Sequence, residues 1–392
     1  MRSERFLCIA NSENGQEFLR ESAALGIKTT LLTLDKLREV AWPRESLEEL
    51  ATMPSGLSRE QIQNTVSWMA RGHRYDRVIA LDELSLMMVA ELREHMRAPG
   101  MGVTTASFYR DRLAMRISAR ESGFPAPAFC RVLNYDDLRE FMAEIPAPWL
   151  LRPREEGCGE TRAIHDAEQL WRTLDDLGDR QSHYLLDQSI EGDLFHVDSI
   201  LSQREVVFSV AHRSEWLEME GAPAHSGYTS QTVERGSRDW QELTALNAGL
   251  APSLGMVRGV AHADFIRSHE DGRFYFQQIA APIAGVFLSE LVEAATGVNS
   301  WREWARLEVA HLRGESYQPP ESFEGYAGLL LWRTAEGMEK LNDLKMPEIL
   351  ARLNKPNRAG LLVRAADARQ VEEILQQLTG KAERHDTPVP VA

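Results

Sequence analysis

Two polar residues on facing strands are the first candidates for chemistry in this sequence. Asp264 and Gln278 lie on either side of Asp271-Gly272, a pair that strongly favours a β-hairpin turn between two runs of β-forming residues. Side-chain oxygens on the inner face of such a hairpin could hold a divalent cation against phosphate groups, because hard cations prefer oxygen ligands. The alternative is an ordinary hairpin in which both side chains are only solvated.

A loop of small residues after a short apolar strand is the second candidate. Gly157, Cys158 and Gly159 follow a strand at 149–152 that ends in Arg152. Small residues let backbone N–H groups approach an anion closely, and Arg152 would point into the same space. The pattern therefore indicates a phosphate-binding loop, with a simple turn as the alternative.

Polar residues on the later strands form a third set, which could contact a substrate. The run 194–201 alternates polar and apolar residues, and this alternation puts His196 and Asp198 on one face of a strand. Arg258 and Asp264 lie six residues apart on one strand run, so both could face a ligand, and we take them as the catalytic candidates. Packing or solvation is the alternative for each histidine. The substrate-contact candidates are His196, Asp198, His212, Arg213, His225 and Arg258.

The composition favours a small-molecule partner. The 392 residues carry a formal net charge of -15, which argues against a binder of nucleic acids or anionic membranes, because such surfaces need clustered Lys and Arg. The three cysteines are widely spaced, which favours neither a disulfide framework nor a zinc site and fits a reducing cytoplasm. Apolar runs long enough to span a membrane, about 18 residues, do not occur. We therefore expect a cytoplasmic protein.

The elements that would position these residues follow an α/β pattern. A β-α-β unit occupies 6–34, and a strand at 77–81 leads into a helix at 86–96. The first turn contains one glycine, so the dinucleotide-binding fingerprint is missing and a dehydrogenase is poorly supported. Asp82 and Glu83 follow the strand at 77–81, where they would either contact a ligand or cap the next helix.

Five short motifs occur in a characteristic order along the chain. A basic helix precedes a Gly-x-Pro-x-Pro segment, a strand ending in Arg-Pro, a hinge strand ending in Glu-Gly and a closing Gln-Ile-Ala strand. The five segments are 110–116, 123–127, 152–153, 187–192 and 278–280. In this order they resemble the ATP-grasp superfamily, and within it the branch of biotin carboxylase and the carboxylate-amine ligases. The resemblance covers nearly the whole chain.

The resemblance implies an α+β ATP-grasp fold with four parts. Residues 1–103 would form an N-terminal Rossmann-like domain, and 104–182 a small ATP-grasp subdomain that carries the phosphate loop. Residues 183–318 would form the large ATP-grasp subdomain with the metal site. Residues 319–392 would form a small C-terminal α+β subdomain with a mobile tail. Homodimers are common in this branch, and the sequence leaves that question open.

The resemblance also assigns ligands, with ATP and Mg²⁺ as the cofactors. Arg112 and Arg152 stand where family lysines contact the ATP phosphates, and the loop with Gly157, Cys158 and Gly159 would close over them. The adenine would lie along the backbone of the hinge, with two acidic side chains near its amino group and the ribose. The hinge residues are Asp187, Gln188, Ser189, Ile190 and Glu191, and the magnesium ligands would be Asp264 and Gln278.

Several departures from the family pattern fall on the chemistry. The family has glutamate at both metal positions, whereas this chain has Asp264 and the neutral Gln278, so two Mg²⁺ ions would share one carboxylate. Pro282 stands where the family has an arginine that helps hold the phosphate or the substrate carboxylate, and proline cannot replace a bidentate cation. Arginine at both lysine positions still binds phosphate.

Two hypotheses follow from these matches and departures. The first is an ATP-dependent ligase that joins a small carboxylate, such as an amino acid, to an amine through an acyl-phosphate. The second is a pseudoenzyme that keeps the fold as a nucleotide- or partner-binding protein.

Overall fold

A parallel sheet of four strands forms the N-terminal part of the protein. The computed structural model describes residues 3–217, 227–283, 285–332, 346–355 and 358–379. The sheet has the order β3-β2-β1-β4, and parallel strands need crossover connections, which helices supply here. The elements are β1 (Arg5–Ala10), α1 (Gln16–Ala24), β2 (Lys28–Leu34), β3 (Glu49–Met53), α2 (Arg59–Gly72), β4 (Arg77–Ala80) and α3 (Leu86–Met96). The β-α-β opening, the strand near 77–81 and the helix at 86–96 are thereby confirmed.

A second, antiparallel sheet of four strands follows, with the order β5-β8-β6-β7. Asp111 accepts a hydrogen bond from the Leu113 backbone N–H and so fixes the start of the basic helix at Arg112, two residues into the expected segment 110–116. The elements are α4 (Val103–Ser107), α5 (Arg112–Glu121), β5 (Phe129–Arg131), α6 (Tyr135–Glu144), β6 (Trp149–Pro153), β7 (Arg162–Ile164), α7 (Ala167–Leu177) and β8 (Tyr184–Gln188).

The remaining strands form one sheet of eight, in the order β13-β12-β9-β10-β11-β14-β16-β15. The strands are β9 (Gly192–Ser202), β10 (Glu205–Leu217), β11 (Gly227–Thr232), β12 (Gly259–Ser268), β13 (Phe274–Ala280), β14 (Tyr326–Trp332), β15 (Ile349–Lys355) and β16 (Arg358–Ala365). The helices are α8 (Arg238–Ser253), α9 (Leu288–Thr296), α10 (Ser300–Arg313) and α11 (Ala368–Thr379). α9 and α10 are separate helices, because Gly297 ends α9 and Asn299 caps α10.

The sheet pairing bears on the expected division into four parts. β8 lies after the boundary at 183, yet it pairs with β5 and β6 of the four-stranded sheet. β14 lies after the boundary at 319, yet it pairs with β11, so the C-terminal strands extend the large sheet. The division stays a prediction, and hydrogen bonding links its parts across both boundaries.

The expected hairpin of β12 and β13 is confirmed, and a β-bulge sets the face of the hairpin on which Gln278 lies. Asp264 pairs with Gln278, but the next residue, Phe265, pairs with Phe276 rather than with Gln277. This β-bulge turns Gln278 to the same side as Asp264, whereas Phe265 and Phe276 lie in the core on the other side. Strict alternation from Phe276 would have put Gln278 into that core.

Some expectations concern residues outside the described ranges. These are the substrate-contact role of His225 and the mobile tail at 387–392. Among the helices of the described residues, every one is too short or too polar to cross a bilayer.

Candidate active site

The hairpin pair is joined by hydrogen bonds to the basic helix α5. Gln278 donates from Nε2 to Asp264 Oδ2 over 2.9 Å, and its Oε1 accepts from Arg112 Nε over 3.0 Å. The other carboxylate oxygen of Asp264 lies 3.1 Å from His262 Nε2. The expected metal ligands are thus adjacent. An ion held by both would replace the hydrogen bond between them.

Two arginines extend this polar surface towards the four-stranded sheet. Arg112 is buried and donates to the carbonyl oxygen of Pro153 over 3.0 Å, beside the exposed carboxylate of Glu156 at 3.4 Å. Arg152 is buried at the end of β6, and its Nε has no hydrogen-bond partner among the described residues. Burial lowers the pKa of Arg152 to about 10. A buried cationic donor that makes no hydrogen bond costs free energy, and a phosphate oxygen would accept one from it.

Asp187, at the end of β8, holds the arginines in place. Its carboxylate is fully buried and lies 3.3 Å from Arg116 Nη2 and 3.5 Å from Arg152 Nε. Arg116, also fully buried, donates from Nη1 to the carbonyl oxygens of Phe276 and Gln277 in the bulged strand. The carboxylate of Asp187 therefore faces guanidinium groups, and Arg116 connects β8 of the small sheet to the hairpin of β12 and β13.

The hinge residues link the two antiparallel sheets. Gln188 ends β8, and its side-chain oxygen accepts from the backbone N–H of Ala128. Ser189 and Ile190 are half-buried, and Glu191 is exposed just before β9. Such a segment, with backbone lying between two sheets, can run beside a planar base as the resemblance implies.

The loop expected to bind phosphate is exposed and leaves β6 directly after Pro153. Gly157 has φ 81°, a left-handed conformation that favours glycine. A Cβ atom on Gly159 would lie 2.1 Å from the hydroxyl of Tyr184, so only glycine fits that position. Cys158 is a free, exposed thiol between them. The conformation at Gly157 and the contact at Gly159 thus favour glycine at both positions, and the loop remains exposed.

A group of buried histidines continues the polar face from Asp264 into the large sheet. Asp198 receives His262 Nδ1 at 2.9 Å on one oxygen and His196 Nδ1 at 3.0 Å on the other. His212 stacks on His196, with 4.8 Å between ring centroids, and neither of its ring nitrogens has a hydrogen-bond partner among the described residues. The alternation of β9 predicted His196 and Asp198 on one face, and the structure brings His212 to them.

His262 was missed by the sequence reasoning, although its spacing from Asp264 carries a signal. Residues two apart on a strand share a face, so His262 had to lie beside the metal candidate. Burial alone would lower the pKa of His262, but Asp264 and Asp198 raise it well above its ordinary value. Burial alone would raise the pKa of Asp198, but His262 and His196 hold it well below its ordinary value. The carboxylates of Asp198 and Asp264 therefore favour positive charge on the histidine between them.

The structure does not bring Arg258 to Asp264. Arg258 lies 3.1 Å from Glu308 Oε2 and 3.3 Å from His311 Nε2, both on α10. Six residues of a strand span about 20 Å, so a shared strand run does not give a shared site. Arg258 is held by α10, away from the cluster around Asp264.

Arg213 and Asp82, two further candidates for ligand contact, form contacts within the protein. Arg213 lies 3.0 Å from Asp193 at the start of β9. The Asp82 side chain accepts backbone N–H groups from Asn11, Ser12 and Ser85, which matches the capping alternative.

Comparison with known proteins places this geometry in context. No family model matches the chain. The L-arginine-specific L-amino acid ligase of Bacillus subtilis is 23% identical over 262 residues, which cover 65% of this chain and 63% of the relative. The match thus spans less than two thirds of that protein.

Two solved structures resemble nearly the whole chain. L-amino acid ligase from Bacillus licheniformis has a TM-score of 0.76 and 18% identity, covering 96% of this chain and 97% of its own. The biotin carboxylase domain of Hydrogenobacter thermophilus 2-oxoglutarate carboxylase, solved with MgADP, ADP and bicarbonate, has a TM-score of 0.70 and 14% identity. It covers 96% of this chain and 90% of its own. These similarities confirm the expected fold class.

Proposed function

We propose that this chain, which has the ATP-grasp fold of the carboxylate-amine ligases, is an ATP-dependent ligase that joins a small carboxylate to an amine through an acyl-phosphate. The carrying observation is the convergence of Arg112, Asp264 and Gln278, beside the buried Arg152, whose Nε makes no hydrogen bond among the described residues. Such groups suit phosphoryl transfer, in which the protein mainly positions reactants and neutralises charge. L-amino acids are the first substrates to test, because two of the relatives are L-amino acid ligases.

Each residue has a distinct role in this proposal. Arg152 and Arg112 bind phosphate oxygens, the loop at 154–161 excludes water above them, and the hinge at 187–191 lies along the adenine. Asp187 acts on the arginines rather than on the nucleotide, because its carboxylate faces Arg116 and Arg152.

Asp264 offers Mg²⁺ one charged oxygen ligand, and Gln278 Oε1 offers one neutral oxygen ligand. To reach an ion, Gln278 Oε1 must give up its hydrogen bond from Arg112 Nε. When bound, Mg²⁺ would supply charge neutralisation at the phosphates. The proposal includes a cytoplasmic location, and small-molecule carboxylate and amine substrates. Light scattering of the purified chain would show whether it forms a homodimer.

The pseudoenzyme alternative is less favoured, because the relatives are named as ligases. One experiment separates the two. The purified chain is incubated with Mg-ATP and pairs of L-amino acids, and ADP and dipeptide are measured together. ATP-dependent dipeptide formation supports the ligase, whereas ATP binding without ADP release for any carboxylate supports the pseudoenzyme.

A variant pair makes the assignment specific to the site. Arg152→Met removes a buried phosphate donor, and Arg131→Met changes an exposed arginine on β5 of the same sheet. We expect Arg152→Met to need at least about ten times more ATP than the parent for the same rise in melting temperature, because a charge-assisted hydrogen bond to phosphate is lost. The second should behave as the parent. Equal responses would remove Arg152 from the nucleotide site.

A further inference from the structure

Three histidines present the same ring nitrogen to one buried carboxylate in the large sheet. The Nδ1 atoms of His262, His196 and His212 lie 2.9, 3.0 and 3.7 Å from the oxygens of Asp198. All four side chains are buried. His196, Asp198 and His262 each have a possible metal-ligand atom, and these three atoms lie within 4.8 Å of one another. The strand register brings them together, because His196 pairs with His212 and Asp198 with His262.

The outer nitrogens of two rings are held by other groups. His196 Nε2 lies 2.8 Å from the Ser230 hydroxyl, and His262 Nε2 lies 3.1 Å from Asp264 Oδ1. When Nε2 donates its hydrogen to such a partner, Nδ1 carries the lone pair. Without an ion, hydrogens on Nδ1 join His196 and His262 to Asp198. Binding of an ion would displace these hydrogens as protons and leave both Nδ1 lone pairs and an Asp198 oxygen to ligate it. Histidines that ligate metals are oriented in this way by their other nitrogen.

His212 supplies an independent observation. It is fully buried, yet neither of its ring nitrogens has a hydrogen-bond partner among the described residues. A buried polar atom without a partner costs about 1–3 kcal/mol, so native proteins rarely leave one unexplained. Its Nδ1 lies 3.7 Å from Asp198 Oδ2. Ligands at 2.0–2.2 Å from a tetrahedral ion lie roughly 3.3–3.6 Å apart, close to this separation.

We propose that His196, His212, His262 and Asp198 form a binding site for a transition-metal ion, best suited to Zn²⁺. Imidazole and carboxylate donors in a tetrahedral arrangement favour Zn²⁺ over Mg²⁺, which prefers oxygen ligands in octahedral geometry. The site is distinct from the magnesium position at Asp264 and Gln278, and it touches that position only through His262. A Zn²⁺ ion would balance the charges of Asp198 and Asp264 and would hold three strands, β9, β10 and β12, in register.

The test is metal content, measured without reference to enzymatic activity. The purified full-length chain is stripped with a chelator, loaded with Zn²⁺, desalted and analysed by inductively coupled plasma mass spectrometry. We expect about one zinc ion per chain and an increase in melting temperature on loading, because an ion that binds only the folded state stabilises it. Wild-type protein that retains no zinc after loading would overturn the proposal.

Two variants locate the ion. Asp198→Asn keeps the shape of the side chain but removes its charge, and we expect zinc affinity to fall at least about ten-fold. His165→Ala changes an exposed histidine and should retain the parental zinc content. Zinc that survives Asp198→Asn undiminished would place the ion elsewhere and would contradict the proposal.

Co²⁺ substitution of the wild-type protein gives a second readout that needs no variant to fold. A tetrahedral Co²⁺ site with nitrogen and oxygen ligands absorbs visible light much more strongly than octahedral Co²⁺ in solution. We expect such a band, displaced by one equivalent of Zn²⁺ and unaffected by excess Mg²⁺. Absence of the band, or its loss with Mg²⁺, would refute the site. Neither result depends on whether the chain is a ligase.

Discussion

Replacing Gln278 by glutamate turns the hairpin pair into two facing carboxylates. In the structure the Gln278 amide donates to Asp264 and accepts from Arg112. Glutamate keeps the acceptor for Arg112 but loses the donor towards Asp264. We therefore expect the variant to be less stable than the parent without divalent ions, and to recover when Mg²⁺ binds between the two carboxylates.

The separation of the two side chains sets the size of this effect. Unit charges 2.9 Å apart repel by about 6 kcal/mol at an effective dielectric constant of ~20, which is a ceiling. The lost hydrogen bond to a charged group adds about 1.5–3 kcal/mol. Rotation of the new side chain and the nearby Arg112 relieve much of this repulsion. We expect a net loss of about 2–4 kcal/mol in unfolding free energy, within the range of strongly destabilising substitutions.

Urea denaturation in EDTA and in millimolar Mg²⁺ measures this prediction. The matched control is Gln376→Glu, which adds the same charge at an exposed position of α11. Mg²⁺ should raise the stability of Gln278→Glu much more than that of the parent or the control, and Mg-ATP affinity should rise with it. Unfolding of Gln278→Glu at the parental urea concentration in EDTA, or an equal response of all three proteins to Mg²⁺, would show that the two side chains do not share an ion site.

Three further predictions concern buried charges. Arg116→Met should cost about 3–5 kcal/mol in urea unfolding, because it leaves the buried Asp187 short of a partner, and a loss below about 1 kcal/mol would contradict this role. Burial lowers the pKa of His212 from 6.5 to about 4. The unfolded chain therefore binds more protons than the folded chain between these pH values, and the unfolding free energy should fall by about 3 kcal/mol as pH falls through this range. His212→Leu should flatten the profile measured in EDTA, whereas an unchanged slope would assign it to other groups. Arg258→Gln should lower stability, because Arg258 pairs with the buried Glu308, while leaving the KM for ATP within about two-fold of the parent. A large KM increase would return Arg258 to the site.

Features that depend on neighbours in sequence were predictable. Asp271-Gly272 indicated the hairpin of β12 and β13, and the alternation at 194–201 put His196 and Asp198 on one face. Order along the chain added the fold, because five short motifs in sequence are far more specific than any one of them. Hydrophobic periodicity located the first strands and helices for the same local reason.

Features that depend on pairing between distant segments were not predictable. The bulge that turns Gln278 towards Asp264 arises from the register of two strands, and nothing in the β13 sequence marks it. Arg116 meets Asp187 across 71 residues, so the role of this carboxylate is visible only in the folded chain. β15 was missed because it is a partly exposed edge strand, which lacks a continuous apolar run.

The position of β14 within the large sheet limits where the chain can be cut. β14, β16 and β15 follow β11 in the strand order, so a fragment ending at residue 318 would lose three of eight strands. The outer edge of β11, which now pairs with β14 from Gly227 to Gln231, would present unpaired N–H and C=O groups. Such an edge recruits strands from other molecules. Truncation at the expected subdomain boundary should therefore give aggregates, and expression of residues 1–318 as a monomer needs the last strands of the sheet.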